Sequence, residues 1–206
     1  MFGEIGKYIS KLRASGRFLV GYAGAHGLAN ALDIIVEAAR ILQDSNDKAH
    51  LLMVGDGPEK ERLISLAKSR GLFNIDFCDS IPKAAVPAFL KSVDIAVISV
   101  RKSNLYKYGT SINKLFDYMA CARPVVWAAD TPDNAVIDAG CGLTVPPEDP
   151  GAMAGAIAAL GQLSGQQRAE IGMRGCEYVN RYHSVPNLVD KLLRIIEYSD
   201  TGGKDQ

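Results

Sequence analysis

Apolar residues along this chain follow two spacings that alternate. Short runs that are apolar at nearly every position predict buried strands at residues 18–22, 51–54, 73–77, 95–99, 124–128 and 142–145. Between these runs the spacing changes to three or four residues, as in 28–43, where Leu32, Ile35, Val36, Ala39 and Leu42 share one helical face. Strands buried on both faces and separated by helices are typical of a parallel sheet covered on both sides. The predicted fold class is therefore α/β, with a Rossmann-like sheet of about six strands.

The two ends of the chain are predicted to lie outside this sheet. Residues 1–16 form an amphipathic helix or the remnant of a linker, residues 17–198 form one domain, and residues 199–206 form a tail. Within the domain, helices at 150–163, 166–181 and 186–198 close the chain. They share an apolar face made by Leu163, Ile171, Val179, Leu188 and Leu192. We expect this face to pack on a further domain, and to promote dimers where it stays exposed.

Composition and charge exclude several classes of protein. The formal net charge is zero over 206 residues, so no overall attraction to nucleic acid or to an anionic membrane is expected. The cysteines Cys78, Cys121, Cys141 and Cys176 never form a C-x-x-C pair, which argues against a zinc site or a disulfide framework. Neither a signal peptide pattern nor an apolar run of about twenty residues is present. The sequence predicts a cytoplasmic protein with no metal and no nucleic-acid partner.

Ligands of open parallel sheets bind beyond the carboxyl ends of the strands, so the loops at those ends are the candidate site. Two of these loops, 24–27 and 55–57, are rich in glycine, which permits close backbone approach to a ligand. A third, 101–114, contains four cations and no acid: Arg101, Lys102, Lys107 and Lys114. The helix after it offers its amino end to an anion, with Ser111 as a candidate N-cap. Together the loops favour a phosphate-bearing ligand.

The nature of that ligand does not follow from a known short signature. Gly21, Gly24 and Gly27 have the spacing G-x-x-G-x-x-G, which differs from the dinucleotide fingerprint G-x-G-x-x-G. Neither a P-loop nor a G-x-S-x-G motif is present. His26 stands in the first glycine-rich loop, where contact with a polar ligand and capping of the loop are both open.

Longer motifs resemble one family of enzymes. Residues 111–120, SINKLFDYMA, followed by RPVV at 123–126, resemble the S-P-N-K-x-F-E-Y-M-A-x-G-K-P-V motif of the retaining glycosyltransferases related to glycogen and sucrose synthases. Residues 55–63, 94–97 and 139–149 resemble three further motifs of that family, in the same order. The H-G-x-A-x-x-L-D pattern at 26–33 is similar to the subgroup that transfers N-acetylated amino sugars in O-antigen and capsule assembly. The similarity runs from residue 18 to about residue 193.

The resemblance implies one half of a larger enzyme. Members of the family have two Rossmann-like domains facing a cleft (the GT-B fold), and the C-terminal domain holds the nucleotide sugar. This chain matches that domain, so the acceptor domain is missing and the chain alone is expected to be inactive. The implied activity is hexosyl or N-acetylhexosaminyl transfer from a UDP-sugar in bacterial surface polysaccharide synthesis, without a cofactor. The full enzyme would meet a lipid-linked acceptor and associate with the membrane surface. A nucleotide-sugar 2-epimerase and a non-catalytic binding module remain alternatives.

The resemblance also assigns roles to residues. Asp117 would bind the ribose hydroxyls, Asn113 and Lys114 would lie with Ser111 against the diphosphate or the sugar, and residues 80–82 would hold the base. The full set of implied donor contacts is Gly24, His26, Gly27, Ser80, Ile81, Tyr108, Gly109, Ser111, Asn113, Lys114 and Asp117. No catalytic residue can be assigned.

The chain departs from the family at three positions. Gly109 replaces a glutamate that contacts the sugar, and Ala25 and Asn30 replace an arginine and a lysine that hold the diphosphate. We therefore predict that Lys114 takes over the phosphate, helped by Lys102 or Lys107 and by the backbone of residues 26–27.

Overall fold

A six-stranded parallel sheet forms the centre of the molecule. The computed structural model describes residues 2–109 and 112–201. The strands are β1 (Phe18–Ala23), β2 (Ala49–Val54), β3 (Ile75–Cys78), β4 (Ile95–Ser99), β5 (Val125–Ala128) and β6 (Gly142–Val145). They pair in the order β3-β2-β1-β4-β5-β6, all parallel. The predicted class and the parallel sheet are confirmed.

Helices cover both faces of the sheet, because successive strand residues point to opposite sides. The helices are α1 (Phe2–Ala14), α2 (Leu32–Asp44), α3 (Lys60–Ser69), α4 (Val86–Ser92), α5 (Asn113–Ala120), α6 (Ala135–Ala139), α7 (Pro150–Gln162), α8 (Gly165–Tyr182) and α9 (Val185–Thr201). Short 3-10 turns lie at Leu28–Asn30, Lys83–Ala85 and Asn104–Tyr108. The core of one face contains α2, α3 and α7. The core of the other contains α1, α4 and α5, and α8 packs against α5.

Three predicted boundaries differ from the structure for local reasons. β2 begins at Ala49, before the predicted start, and includes His50, whose Nε2 lies 2.5 Å from Oδ2 of Asp76 on the neighbouring strand. β3 begins at Ile75, and Phe73 before it is 66% exposed. The predicted helix 28–43 is divided at Ala31, which has a left-handed φ of 46°. A polar residue in a strand and a left-handed alanine both break the patterns from which the boundaries were predicted.

The first helix is tied to the sheet rather than free. Ile9 is buried in the second core. The hydroxyl of Tyr8 donates to Oδ2 of Asp76 at 2.6 Å, and Arg13 forms an ion pair with Asp94 at 3.2 Å. The prediction of a helix within residues 1–16 is confirmed, and its origin as a linker remnant stays a prediction.

The last helix, α9, stands apart from the body. Every side chain from 185 to 196 is exposed, including those of Val185, Leu188, Val189, Leu192, Leu193, Ile195 and Ile196. The predicted apolar face of the terminal helices is confined to α9, because Leu163 and Ile171 pack on the first core and Val179 on the second. None of the described helices is long and apolar enough to cross a membrane.

Candidate functional site

The strand order reverses between β1 and β4, and a crevice forms where the two crossovers leave in opposite directions. Hydrogen bonds join the two loops that border this crevice. The amide of Arg101 donates to the carbonyl of Ala29 at 2.9 Å, and the hydroxyl of Ser99 donates to the carbonyl of Asn30 at 2.5 Å. The turn Leu28–Asn30 is therefore fixed against the end of β4.

The two glycine-rich loops pack directly on each other. Gly55 has a φ of 150°, and a Cβ at this position would lie 1.9 Å from the carbonyl oxygen of Gly24. Gly57 has a φ of 153°, and a Cβ there would lie 2.5 Å from the carbonyl oxygen of His26. The glycines at these two positions make room for the first loop, and close approach of the second loop to a ligand stays a prediction.

His26 lies beneath its loop and is fully buried. Its ring lies between those of Tyr22 and Phe77, with centroids 5.9 and 6.1 Å away. Neither ring nitrogen has a hydrogen-bond partner in the described part of the chain. Burial, followed by the charge of Lys60, lowers the pKa of this imidazole. Of the two roles left open by the sequence, this position favours packing within the loop.

The backbone of the same loop is partly engaged. The amide of His26 donates to the carbonyl of Asp56 at 2.8 Å. Within residues 2–109 and 112–201, the amide of Gly27 donates no hydrogen bond. Of the two predicted backbone contacts to phosphate, only the Gly27 amide is therefore free to make one.

Lys114 reaches across the crevice from α5 to the end of β1. Its ammonium donates to the hydroxyl of Tyr22 at 2.9 Å and to Oδ1 of Asn30 at 2.8 Å, and it lies 4.7 Å from the centroid of the Tyr22 ring. Both acceptors are held in turn, because the Tyr22 hydroxyl and the Asn30 amide each donate to the carbonyl of Ala25. The ammonium is thus oriented by neutral groups.

This environment leaves the charge of Lys114 available. None of its partners among the described residues is a carboxylate, and an ammonium has three N–H groups, of which two are used. Burial lowers the pKa of Lys114 to about 8. Gly24 gives it space, since a Cβ at residue 24 would lie 3.2 Å from Nζ.

Asp117 lies on another side of α5, one turn from Lys114. It is exposed and lines a groove of about 310 Å³ between α4 and α5. Lys83 and Val86 line the opposite wall, directly after the segment 80–82 that was predicted to hold a base. Ser80 is exposed and Ile81 packs on the second core. The structure brings Asp117 and the end of this segment to one groove, and their contacts with a nucleotide stay predictions.

The predicted basic loop does not act as one cluster. Arg101 forms ion pairs with Asp33 at 2.9 Å and Glu148 at 3.4 Å. Lys102 and Lys107 are exposed and line a separate pocket of about 320 Å³ at the ends of β4 and β5. The prediction of a local excess of positive charge is corrected for Arg101, because acids distant in the sequence neutralise it.

The remaining predicted contacts surround the amino end of α5. Tyr108 is 81% exposed, and the Lys107 ammonium lies 4.9 Å from the centroid of its ring. Asn113 is exposed at the first position of the helix. Ser111, the predicted cap and donor contact, lies outside the described residues. Gly109 has a φ of 98°, and a Cβ there would lie 3.3 Å from Oδ2 of Asp133, a neighbour that no pattern in the sequence predicts.

The strand order, with a lysine and a carboxylate on one helix beside the crevice, defines a Rossmann-like α/β domain with a polar site at the strand ends. A family model described as glycosyl transferases group 1 matches residues 17–162. The chain belongs to this family. No curated protein matches the sequence.

Solved structures of similar fold include longer proteins. S. aureus TarM (a point mutant, in complex with UDP among other ligands) shares 17% identity and a TM-score of 0.74 over 86% of this chain and 35% of its own. Anabaena HepE, in complex with UDP, shares 16% identity and a TM-score of 0.74 over 95% of this chain and 52% of its own. The C-terminal domain of the group 1 family protein LpcC of Francisella tularensis shares 18% identity and a TM-score of 0.68 over 85% of this chain and 92% of its own. The likeness is one of fold, and the chain spans about a third to a half of TarM and HepE.

Proposed function

We propose that this chain is the C-terminal, donor-binding half of a retaining glycosyltransferase of the GT-B fold that uses a UDP-sugar. The observation that carries the proposal is the placement of Lys114 and Asp117 on neighbouring sides of α5, one toward the crevice and one toward the α4–α5 groove. An ammonium suits a diphosphate, and a carboxylate accepts hydrogen bonds from two vicinal ribose hydroxyls. Membership of the group 1 family and the UDP bound to TarM and HepE support this assignment.

The role of Lys114 follows from its partners. The departing UDP carries the charge that develops when the glycosidic bond to the donor breaks, and a fixed cation in a partly buried site stabilises that charge. Tyr22 and Asn30 hold two of the three ammonium hydrogens, so the third is directed to the phosphate. Asn30, which stands where the family has a lysine, thus supplies an acceptor that places a cation from another helix. Lys102 or Lys107, which line the pocket at the ends of β4 and β5, would help Lys114 at the phosphate.

The other half of the enzyme is proposed to pack on α9. Its apolar side chains are exposed from Val185 to Ile196, and TarM and HepE are two to three times as long as the matched part. We further propose that the whole enzyme works in the cytoplasm on a lipid-linked acceptor at the membrane surface, in O-antigen or capsule assembly. The support for an amino-sugar donor is the H-G-x-A-x-x-L-D pattern at 26–33.

Calorimetry with UDP, GDP and NAD tests the donor site on this chain. We expect UDP to bind, and the Asp117→Asn variant to weaken UDP about ten-fold while leaving inorganic pyrophosphate unchanged. Glu61→Gln, which changes an exposed carboxylate on α3 away from the α4–α5 groove, is the matched control. EDTA should not change the UDP affinity, since no metal is proposed.

Two results would contradict the proposal. Failure to bind any of the three ligands would favour the non-catalytic module. Formation of the 2-epimeric sugar, free or still attached to UDP, once an acceptor domain is supplied, would favour the nucleotide-sugar 2-epimerase.

A further inference from the structure

A second pocket lies on the other flank of α5, between that helix, the loop after β5 and the end of α8. It has a volume of about 420 Å³, and its chemically informative lining residues are Phe116, Trp127, Asp133, Asp138, Tyr178 and His183. We propose that this α5–α8 pocket binds a pyranose ring of a saccharide that is separate from the nucleotide sugar. The volume falls in the usual range for small-molecule sites.

Trp127 contributes a buried donor. It is 1% exposed, and its indole Nε1 has no hydrogen-bond partner within the described residues. Buried N–H groups are nearly always paired, because an unpaired donor loses its hydration without compensation. A ligand that enters this pocket and offers an oxygen acceptor removes that penalty.

Aromatic rings form one wall. The Phe116 and His183 rings are stacked with centroids 4.2 Å apart and planes at 29°, and the Tyr178 ring lies 5.6 Å from His183. The apolar C–H face of a pyranose packs on such rings, and C–H contacts to π systems add a small attraction. Burial also lowers the pKa of His183, so the neutral imidazole, with one acceptor nitrogen, is favoured.

Two carboxylates form the rim. Asp133 and Asp138 are exposed, and within the part of the chain that the structure describes neither takes part in an ion pair. Asp138 accepts a hydrogen bond from Tyr178, and its remaining lone pairs are open to a ligand. Carboxylates accept hydrogen bonds from sugar hydroxyls and repel phosphate. An ammonium ligand would also be attracted to aromatic rings and carboxylates, but it has no acceptor for the indole N–H of Trp127. A hydroxyl both donates and accepts, so a sugar satisfies the whole lining.

The pocket and the proposed donor site lie on different sides of α5. Asp117 faces the α4–α5 groove, and Phe116 faces the α5–α8 pocket. The two sites approach each other at the amino end of α5, because Ile112 lines the pocket and Oδ2 of Asp133 lies 3.3 Å from a Cβ at Gly109, an implied donor contact. A saccharide in the pocket would therefore be a neighbour of the donor, and the experiments below distinguish the two.

The chain contains a single tryptophan, so its indole N–H gives one signal in an NMR spectrum of 15N-labelled protein. We expect methyl glucopyranoside or methyl N-acetylglucosaminide to shift this signal in a saturable way. Asp133→Asn and Asp138→Asn should each weaken that binding at least five-fold. Glu61→Gln, on the distant helix α3, should leave that binding unchanged.

Further arms separate the alternatives. UDP alone should not move the indole signal, and its own binding by calorimetry reports on the donor site independently. A shift by UDP-glucose at lower concentrations than by methyl glucoside would assign the ring to the donor and overturn a separate site. Three results would each overturn the sugar assignment: a response to tetramethylammonium but to neither glycoside, no saturable shift at all, or variants at Asp133 and Asp138 that bind the glycosides as tightly as the unmodified chain does.

Discussion

The two sides of the crevice are built on different principles. On the β1 side, glycines let loops pack backbone to backbone, and the Lys114 ammonium lies partly buried between a hydroxyl and an amide. On the β4 side, Arg101 is paired with two carboxylates, and Lys107 is exposed. Neutral acceptors orient a cation and leave its charge unneutralised, whereas carboxylates orient the cation and also neutralise it. The availability of a cation for an anion thus depends on its partners, and the number of charges in a loop does not reveal it.

The largest effect is expected from the packing of the β1 side. Gly55→Ala places a Cβ 1.9 Å from the Gly24 carbonyl oxygen at a φ that alanine avoids, and we expect it to lower the free energy of unfolding by about 3 kcal/mol or more. In α7, Gly155→Ala has nothing within 4 Å of its new Cβ. This change should raise the free energy of unfolding by about 0.5–1 kcal/mol. Urea unfolding measures both, and equal midpoints for Gly55→Ala and the unmodified chain would show that the loops are not locked.

The second effect compares the two cations directly. Lys114→Met removes a charged hydrogen bond to the diphosphate and should raise the Kd for UDP by about 10- to 100-fold. Arg101→Met should change it by less than about two-fold, because Arg101 is already paired. Similar losses in the two variants, measured by calorimetry, would mean that the partners do not decide which cation is used.

The third effect is a pH dependence on the Lys114 side alone. The cationic form of Lys114 binds phosphate. Because the pKa of Lys114 is about 8, raising the pH from 7 to 9 deprotonates this ammonium in most molecules of the free protein. UDP affinity should fall about ten-fold over that range. The Lys114→Arg variant stays charged and should show a flat profile. A wild-type profile as flat as that of the variant would place the titrating charge elsewhere.

The smallest effect concerns the stability of the first loop. The pKa of His26 is lowered in the folded state, so the unfolded chain takes up a proton first as the pH falls below about 6.5. The free energy of unfolding should therefore fall as the pH is lowered through this range. Because the pKa of His183 is lowered too, His26→Phe should make this slope shallower without removing it. Thermal melts between pH 5 and 8 report the slope, and an unchanged slope would exclude His26 as its source.

The sheet and its helices could be predicted because each depends on a local pattern. Runs such as 95–99 and the helical stripe from Leu32 to Leu42 are complete within a few turns of chain. The geometry of the loops at the strand ends could not be predicted, because it depends on residues far away in the sequence. Arg101 meets Asp33, and Lys114 meets Asn30, across separations of 68 and 84 residues.

The same difference between local patterns and contacts with distant residues applies to the candidate site. Lys114 and Asp117 were predicted from a motif that is contiguous in the sequence, and they lie beside the crevice and its adjoining groove. Tyr22 reads only as a buried strand residue, and no local signal marks its hydroxyl as the partner of Lys114. Likewise, nothing in the sequence around His26 shows that the second loop would cover its ring.

Gly24 gives the chain an evolutionary constraint that acts on two positions at once. A side chain at residue 24 and a lysine at residue 114 compete for the same space, since the Cβ would lie 3.2 Å from Nζ. Gly24→Ala should therefore be harmful in the natural background. Shortening Lys114 to serine should relieve only part of the harm, because the same Cβ would lie 3.1 Å from the Tyr22 hydroxyl. Homologous sequences that keep the lysine should therefore keep the glycine, and lineages that lose the lysine are released from one of two constraints on residue 24.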